Sequence, residues 1–114
     1  MHVFSKTQQK SAMTIYHAGY NEAATAECLV WFRGEGQTLF VVYTEEDGGE
    51  IQYVGRDSGG GHYAVEWAKY EGHGTLHLWR KPVGEITLEG SWWQEGAEGM
   101  WRIALGGYEP EFAG

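Results

Sequence analysis

Residues 85–105, EITLEGSWWQEGAEGMWRIAL, constrain the fold of this 114-residue chain more than any other stretch. Apolar side chains take alternate positions before a glycine-bearing turn, as at Ile86 and Leu88, and again after it, at Trp101 and Ile103. Alternation with a period of two places successive side chains on opposite faces of a strand. The segment therefore predicts a β-hairpin with one apolar face.

Similar apolar runs recur along the chain, separated by turns in which many of the 18 glycines fall. Only Tyr20–Ala26 hints at a helix, a single turn that Asn21 could cap. The pattern predicts an all-β fold, an antiparallel up-and-down meander of about eight strands that closes into a small barrel. We expect strands near residues 13–17, 26–33, 37–44, 50–56, 62–70, 75–81, 85–93 and 99–105.

Length and composition predict one barrel domain over residues 13–108, with a flexible N-terminal arm at 1–12 and a tail at 109–114. The formal net charge of −8 and the scattered Lys and Arg disfavour direct binding to nucleic acid. No run has the length of a signal peptide or a membrane span, so we expect a cytoplasmic protein without membrane contact. The single Cys28 excludes an intramolecular disulfide and is expected to be a small buried hydrophobe.

The strands near 28–32 and 39–43 differ from the others because both of their faces are apolar. Leu29 and Trp31 oppose the face of Cys28, and Phe40 and Val42 oppose the face of Leu39 and Val41. A strand that is apolar on both faces usually has both faces covered. The cover could be the N-terminal segment, the turn near residue 22 or a second subunit, and we expect a homodimer through these strands.

No metal, cofactor or catalytic residue is predicted. His73 and His77 are four residues apart, about 13 Å in a strand, which is too far for one metal ion. Pairing between strands could bring His62 or Glu66 near His77, although exposed surface histidines are the simpler explanation of the pattern. The acidic hairpin tip at 45–50 lacks the ordering of a calcium loop and is expected to be a solvated turn.

The sequence LEGSW at residues 88–92, followed by a turn and WRI at 101–103, resembles the G-x-W signature of calycin-type barrels. These include the lipocalins, the fatty-acid-binding proteins and the avidins. In those families the signature opens the barrel, whereas here it lies in the last quarter of the chain. The resemblance implies a barrel with a ligand cavity, and it does not specify the ligand.

We therefore expect a non-enzymatic protein that binds a small apolar or aromatic ligand inside the barrel. The ligand could also carry an anionic group. The alternative for the same rings is that they fill the barrel completely. A second hypothesis is an acidic protein-interaction module, an inhibitor or decoy that covers a basic site on a partner protein. A third, an enzyme that uses His and Glu, has the least support. The candidate ligand-binding residues are Tyr53, Tyr63, Trp67, Arg80, Trp92 and Trp101.

Overall fold

The computed structural model describes residues 8–19, 21–44, 48–67, 69, 71–82 and 84–105. Within these residues each of the eight strands pairs antiparallel with the next along the chain, and the last strand pairs with the first, which closes the barrel. This part of the chain contains no helix long and apolar enough to span a membrane. The predicted all-β meander and barrel are confirmed. The strands are β1 (Gln9–His17), β2 (Ala23–Arg33), β3 (Thr38–Thr44), β4 (Glu50–Asp57), β5 (His62–Trp67), β6 (Gly72–Arg80), β7 (Ile86–Gln94) and β8 (Ala97–Ala104).

The predicted hairpin at 85–105 forms β7 and β8, and its alternation sets which side chains enter the barrel. Trp92 and Trp101 are buried in the core, whereas Trp93 points outward and stacks on His73 with ring centroids 5.3 Å apart. Leu88 and Ile103 are opposite each other on the inner face and are fully buried. The hairpin therefore has one apolar face turned into the barrel, as the alternation predicts.

The N-terminal part of the barrel differs from expectation in two places. β1 begins at Gln9, so the expected boundary at residue 13 moves four residues earlier, because residues 9–12 pair with β2. The hint of a helical turn is wrong from Ala23 onward, since Ala23–Ala26 open β2 and pair with β1. Strand pairing gives these alanines backbone partners that a single helical turn would not. Residues 1–7, Tyr20 and the expected tail at 109–114 lie outside the described residues.

The connections between strands fall alternately at two ends of the barrel, which we call the closed end and the open end. The closed end carries the turns at 34–37, 58–61 and 81–85. Its turns are tied to the strands, since the Tyr63 hydroxyl donates to the Gly36 carbonyl at 2.5 Å and the Asp57 amide donates to the Gln37 carbonyl at 2.9 Å. The open end carries the connections between β1 and β2, β3 and β4, β5 and β6, and β7 and β8.

The interior near the closed end is filled by side chains. Phe32, Leu39 and Tyr63 are at most 1% exposed, and the rings of Phe32 and Tyr63 lie 6.1 Å apart. Burial raises the pKa of the Tyr63 phenol to about 12, with a smaller contribution from the nearby Asp57 carboxylate. This half of the barrel is therefore a packed core and leaves the interior at the open end as the place for a cavity.

Candidate functional site

A cleft of about 520 Å³ opens into the barrel at the open end. It lies where the last residues of β1, β3 and β7 meet the first residues of β2 and β8. Its described walls contain no Asp, Glu, Lys or Arg, so its surface is apolar with a few neutral polar groups. The lining residues are Ile15, His17, Ala24, Thr25, Ala26, Tyr43, Thr44, Trp92, Gln94 and Trp101.

Trp101 forms the floor of the cleft, and Gly74 on β6 leaves room for its indole, since a Cβ atom at Gly74 would lie 3.0 Å from the ring. The indole Nε1–H donates to the Thr75 carbonyl on β6 at 2.9 Å. The cross-strand partner of Trp101 on β7 is Gly90, where a Cβ atom would run into that same Thr75 carbonyl. Glycine at position 90 therefore allows the backbones of β6 and β7 to approach closely beside the indole.

Trp92 forms one wall of the cleft by the same device. Its cross-strand partner is Gly99, where a Cβ atom would meet both the Trp92 ring and the Tyr16 carbonyl. The indole Nε1–H donates to the Met100 carbonyl at 3.2 Å, and the His17 ring packs edge-on against it at 5.0 Å. Both indole donors are used by the protein, so the two rings offer apolar surface to a ligand.

Three polar side chains, of Gln94, Tyr43 and Tyr53, meet beside the cleft. The Gln94 amide donates to the Tyr53 hydroxyl at 2.6 Å and reaches the Tyr43 hydroxyl at 3.5 Å. Tyr53 is fully buried and packs edge-on against Trp101 at 5.0 Å, so it fixes the position of the floor. Gln94 and Tyr43 line the cleft and place an amide and a hydroxyl where a bound molecule could hydrogen-bond.

The structure brings together four of the six predicted binding residues. Trp92 and Trp101 line the cleft, Tyr53 lies behind its floor, and Trp67 packs against Tyr53 with ring centroids 6.4 Å apart. The other two lie toward the closed end. Tyr63 is buried there with its hydroxyl bonded to the Gly36 carbonyl, and Arg80 is exposed at the end of β6, paired with Ile86. Neither lines the cleft.

Sequence reasoning missed most of the cleft walls. Ala24 and Ala26 belong to the segment interpreted as a helical turn, and their small side chains leave the space that the cleft occupies. Tyr43 and Gln94 could have been found, because each stands on the inner face at the open-end terminus of its strand. His17 is the last residue of β1 and lies at the same end of the barrel.

A second depression, of about 690 Å³, crosses the outer surface of β6, β7, β8 and β1. It is lined by outward side chains such as Tyr16 and Met100, which are 46% and 59% exposed. Trp92 contributes to it beside Gly74 and Gly99. This depression is formed mainly by outward side chains, whereas the cleft at the barrel mouth is lined by inward side chains such as Tyr43 and Trp101.

The histidines confirm one pairing that the sequence left open. His62 and His77 are cross-strand partners on the outer face, with their Nδ1 atoms 3.1 Å apart. Glu66 pairs with His73 instead. Among the described residues no group of three or more His, Cys, Asp or Glu side chains could hold a metal ion.

No protein-family model matches this chain, and no curated protein sequence matches it. The function is therefore argued from the barrel and its cleft.

Proposed function

We propose that this protein is a non-enzymatic binding protein that holds one small, neutral, aromatic or apolar molecule in the cleft at the open end. The observation that carries the proposal is the cleft of about 520 Å³ walled by Trp92 and Trp101. Ligand pockets typically measure about 300–1,000 Å³ and are mostly apolar with a few fixed polar groups. The cleft has this size and this composition.

The polar groups narrow the ligand class. The Gln94 amide, the Tyr43 hydroxyl and the His17 ring border an otherwise apolar space, which suits a flat molecule with one or two hydrogen-bonding atoms. Arg80, the expected partner for an anionic group, is not at the cleft, and the chain carries a formal net charge of −8. We therefore propose a ligand without negative charge.

The resemblance to calycin-type barrels agrees with this proposal in its closed meander and interior site, and membership of that group stays a prediction. The acidic interaction module also stays a prediction, since Glu45–Asp47 of its acidic hairpin tip lie outside the described residues. The ligand-binding function is the better supported of the two because it uses an observed cavity.

The test is a titration with the neutral aromatic probe N-phenyl-1-naphthylamine, followed by both probe and tryptophan fluorescence. We expect saturable binding of one probe per chain. Ala24→Phe places a ring in the cleft and should weaken binding at least tenfold. The matched control is Ala23→Phe on the same strand, which points to the outer face and should bind normally. Absence of saturation, or an equal loss in both variants, would refute the proposal.

A further inference from the structure

The outer face of β2, β3 and β4 carries four cross-strand rows of distinct chemistry. From the open end to the closed end, the rows are acidic, aliphatic, aromatic and basic. The aliphatic row contains one polar residue, Gln52. In register, the rows are Glu27, Thr44 and Glu50; Leu29, Val42 and Gln52; Trp31, Phe40 and Val54; and Arg33, Thr38 and Arg56.

The two central rows form a largely apolar surface that the barrel itself covers only in part. Trp31 and Phe40 stack face to face at 5.0 Å with an interplanar angle of 3°, and Leu29, Val42 and Val54 flank them, all half-buried. The guanidinium of Arg33 lies 5.9 Å from the centre of the Phe40 ring. Aromatic residues and arginine are the types enriched in protein interfaces.

The four rows are symmetric about the inward-facing row Val30, Val41 and Tyr53. Arg33 and Glu27 lie three positions on either side of Val30, and Arg56 and Glu50 lie three positions on either side of Tyr53. A two-fold axis can lie just above the outer surface over this row, perpendicular to the strands. Rotation about this axis brings a second copy face to face with the first, with its strands in the opposite direction. It therefore sets each basic row on the partner's acidic row and each aromatic row on the partner's aliphatic row.

The charges at the two edges of this surface are available for such a contact. Among the described residues, no salt bridge involves Arg33, Arg56 or Glu50. Glu27 has only a long contact with Lys10, at 3.9 Å, and both side chains are well exposed. Exposed pairs of this kind contribute little to stability. A partner surface of opposite charge would satisfy them better.

We propose that this surface binds a second copy of the chain, as a two-fold dimer with antiparallel strands. Isologous contact requires a patch complementary to itself, and the order of the four rows meets that requirement. The patch spans about 20 Å along the strands and about 10 Å between the outer strands, which is small for a specific interface. The dimer is therefore expected to be weak.

Charge reversal with sedimentation equilibrium tests the arrangement. The double variant Arg33→Glu/Arg56→Glu should dimerise at least tenfold more weakly than the wild type, and so should Glu27→Lys/Glu50→Lys. An equimolar mixture of the two variants should form mixed dimers at near wild-type affinity. A single chain that carries all four changes should recover self-association, because each reversed row then meets its complement. The matched control Arg80→Glu, on the far side of the barrel, should dimerise normally.

Cross-linking between different chains tests the register directly. A chain with Arg33→Cys, mixed with a chain with Glu27→Cys, should be joined by a bismaleimide linker of about 10 Å, the usual distance between facing sheets. Either chain alone should cross-link poorly. Native Cys28 adds little background because it is 1% exposed, and burial, with a smaller contribution from Glu27, raises its pKa to about 12.

Two results would overturn the proposal. One is a monomer at hundreds of micromolar in the wild type. The other is a dimer whose affinity none of the charge reversals changes, since that dimer would use another surface. Both readouts are independent of the ligand titration, because the outer rows and the cleft share no residue apart from Thr44.

Discussion

The two ends of the barrel are built from the same strands, yet they use the interior differently. At the closed end, inward rings such as Phe32 and Tyr63 meet, and the turns bond back to them. At the open end, small inward residues such as Ala24 and Ala26 leave a cleft, and Trp92 and Trp101 bound it from the opposite strands. An alternating pattern thus builds the barrel, whereas the sizes of the inward side chains at each height decide where it is hollow.

The largest expected effect is the loss of stability when buried rings are truncated, and it compares how tightly the two ends are packed. Phe32→Ala removes a fully enclosed ring, and Trp101→Ala removes a ring that is only 2% exposed although it borders the cleft, so each should lower the free energy of unfolding by about 3–5 kcal/mol. Trp92→Ala should cost less, at or below about 3 kcal/mol, because the cleft already borders one side of its ring. The measurement is urea denaturation. A Trp92→Ala cost above that of Phe32→Ala would show that the open end is packed as tightly as the closed end.

Trp93→Ala serves as the control in the same series. Its ring lies on the outer face against His73, so its loss should change the free energy of unfolding by no more than about 1 kcal/mol. A larger effect at Trp93 than at Trp101 would contradict the inward and outward alternation of β7 and β8, because a slip of one residue exchanges the two faces.

A second prediction uses alkaline pH to probe the closed end. The pKa of Tyr63 is about 12 in the folded protein, above the ordinary value of 10.0, so the unfolded chain releases this proton first as pH rises. Its contribution to stability is complete below about pH 10 and is lost as pH rises through about 12. One unit of pKa difference corresponds to about 1.4 kcal/mol, so a loss on the order of 1 kcal/mol is expected by pH 11.

Urea denaturation of the wild type and Tyr63→Phe, at pH 8 and at pH 11, measures that contribution. Tyr63→Phe should lose less stability between the two pH values than the wild type does. The comparison between proteins cancels the alkaline effect of Cys28, which is present in both. An equal loss in the two proteins would show that Tyr63 is not the group responsible.

The smallest expected effect compares the turns. The Asp57 carboxylate accepts hydrogen bonds from the amides of Gly59, at 2.8 Å, and Gly61, at 3.1 Å, and so holds a turn of glycines at positive φ. Asp57→Ala should lower the free energy of unfolding by about 1 kcal/mol. Asp57→Asn, which keeps one acceptor oxygen, should cost less. Glu98→Ala, near the open end, is the control and should lower stability less than Asp57→Ala in thermal denaturation. A larger loss for Glu98→Ala would contradict the comparison between the two ends.

The sequence predicts the faces of the strands better than it predicts heights within the barrel. Alternation correctly places Trp92 and Trp101 on one face of their hairpin and separates Leu29 and Trp31 from the face of Cys28, although it does not say which face of β2 is inside. It says nothing of how far along the barrel axis an inward side chain lies, because that depends on the register between strands. Tyr63 therefore points into the barrel, as Trp92 does, but it lies at the closed end and not at the cleft.

Two other features of the site depend on contacts between distant segments. The alanines of β2 have little strand propensity of their own, and pairing with β1 makes them a strand. Gly90 reads as an ordinary weak point in a strand, and its role follows only from the approach of the Thr75 carbonyl on β6. Local patterns could not indicate either one.

The pairing of β1 with β8 also bears on how the chain folds. Every other strand pairing joins neighbours along the chain, so it forms at the entropic cost of a short loop, whereas the contact of Ala12 with Ala104 closes nearly the whole domain. Closure is therefore expected to be the slow step of folding, and stopped-flow refolding of seam variants would reveal it. Until it occurs, β1 and β8 are two free sheet edges. An edge of that kind can add a strand from another chain, which makes the unclosed sheet the species most prone to aggregate.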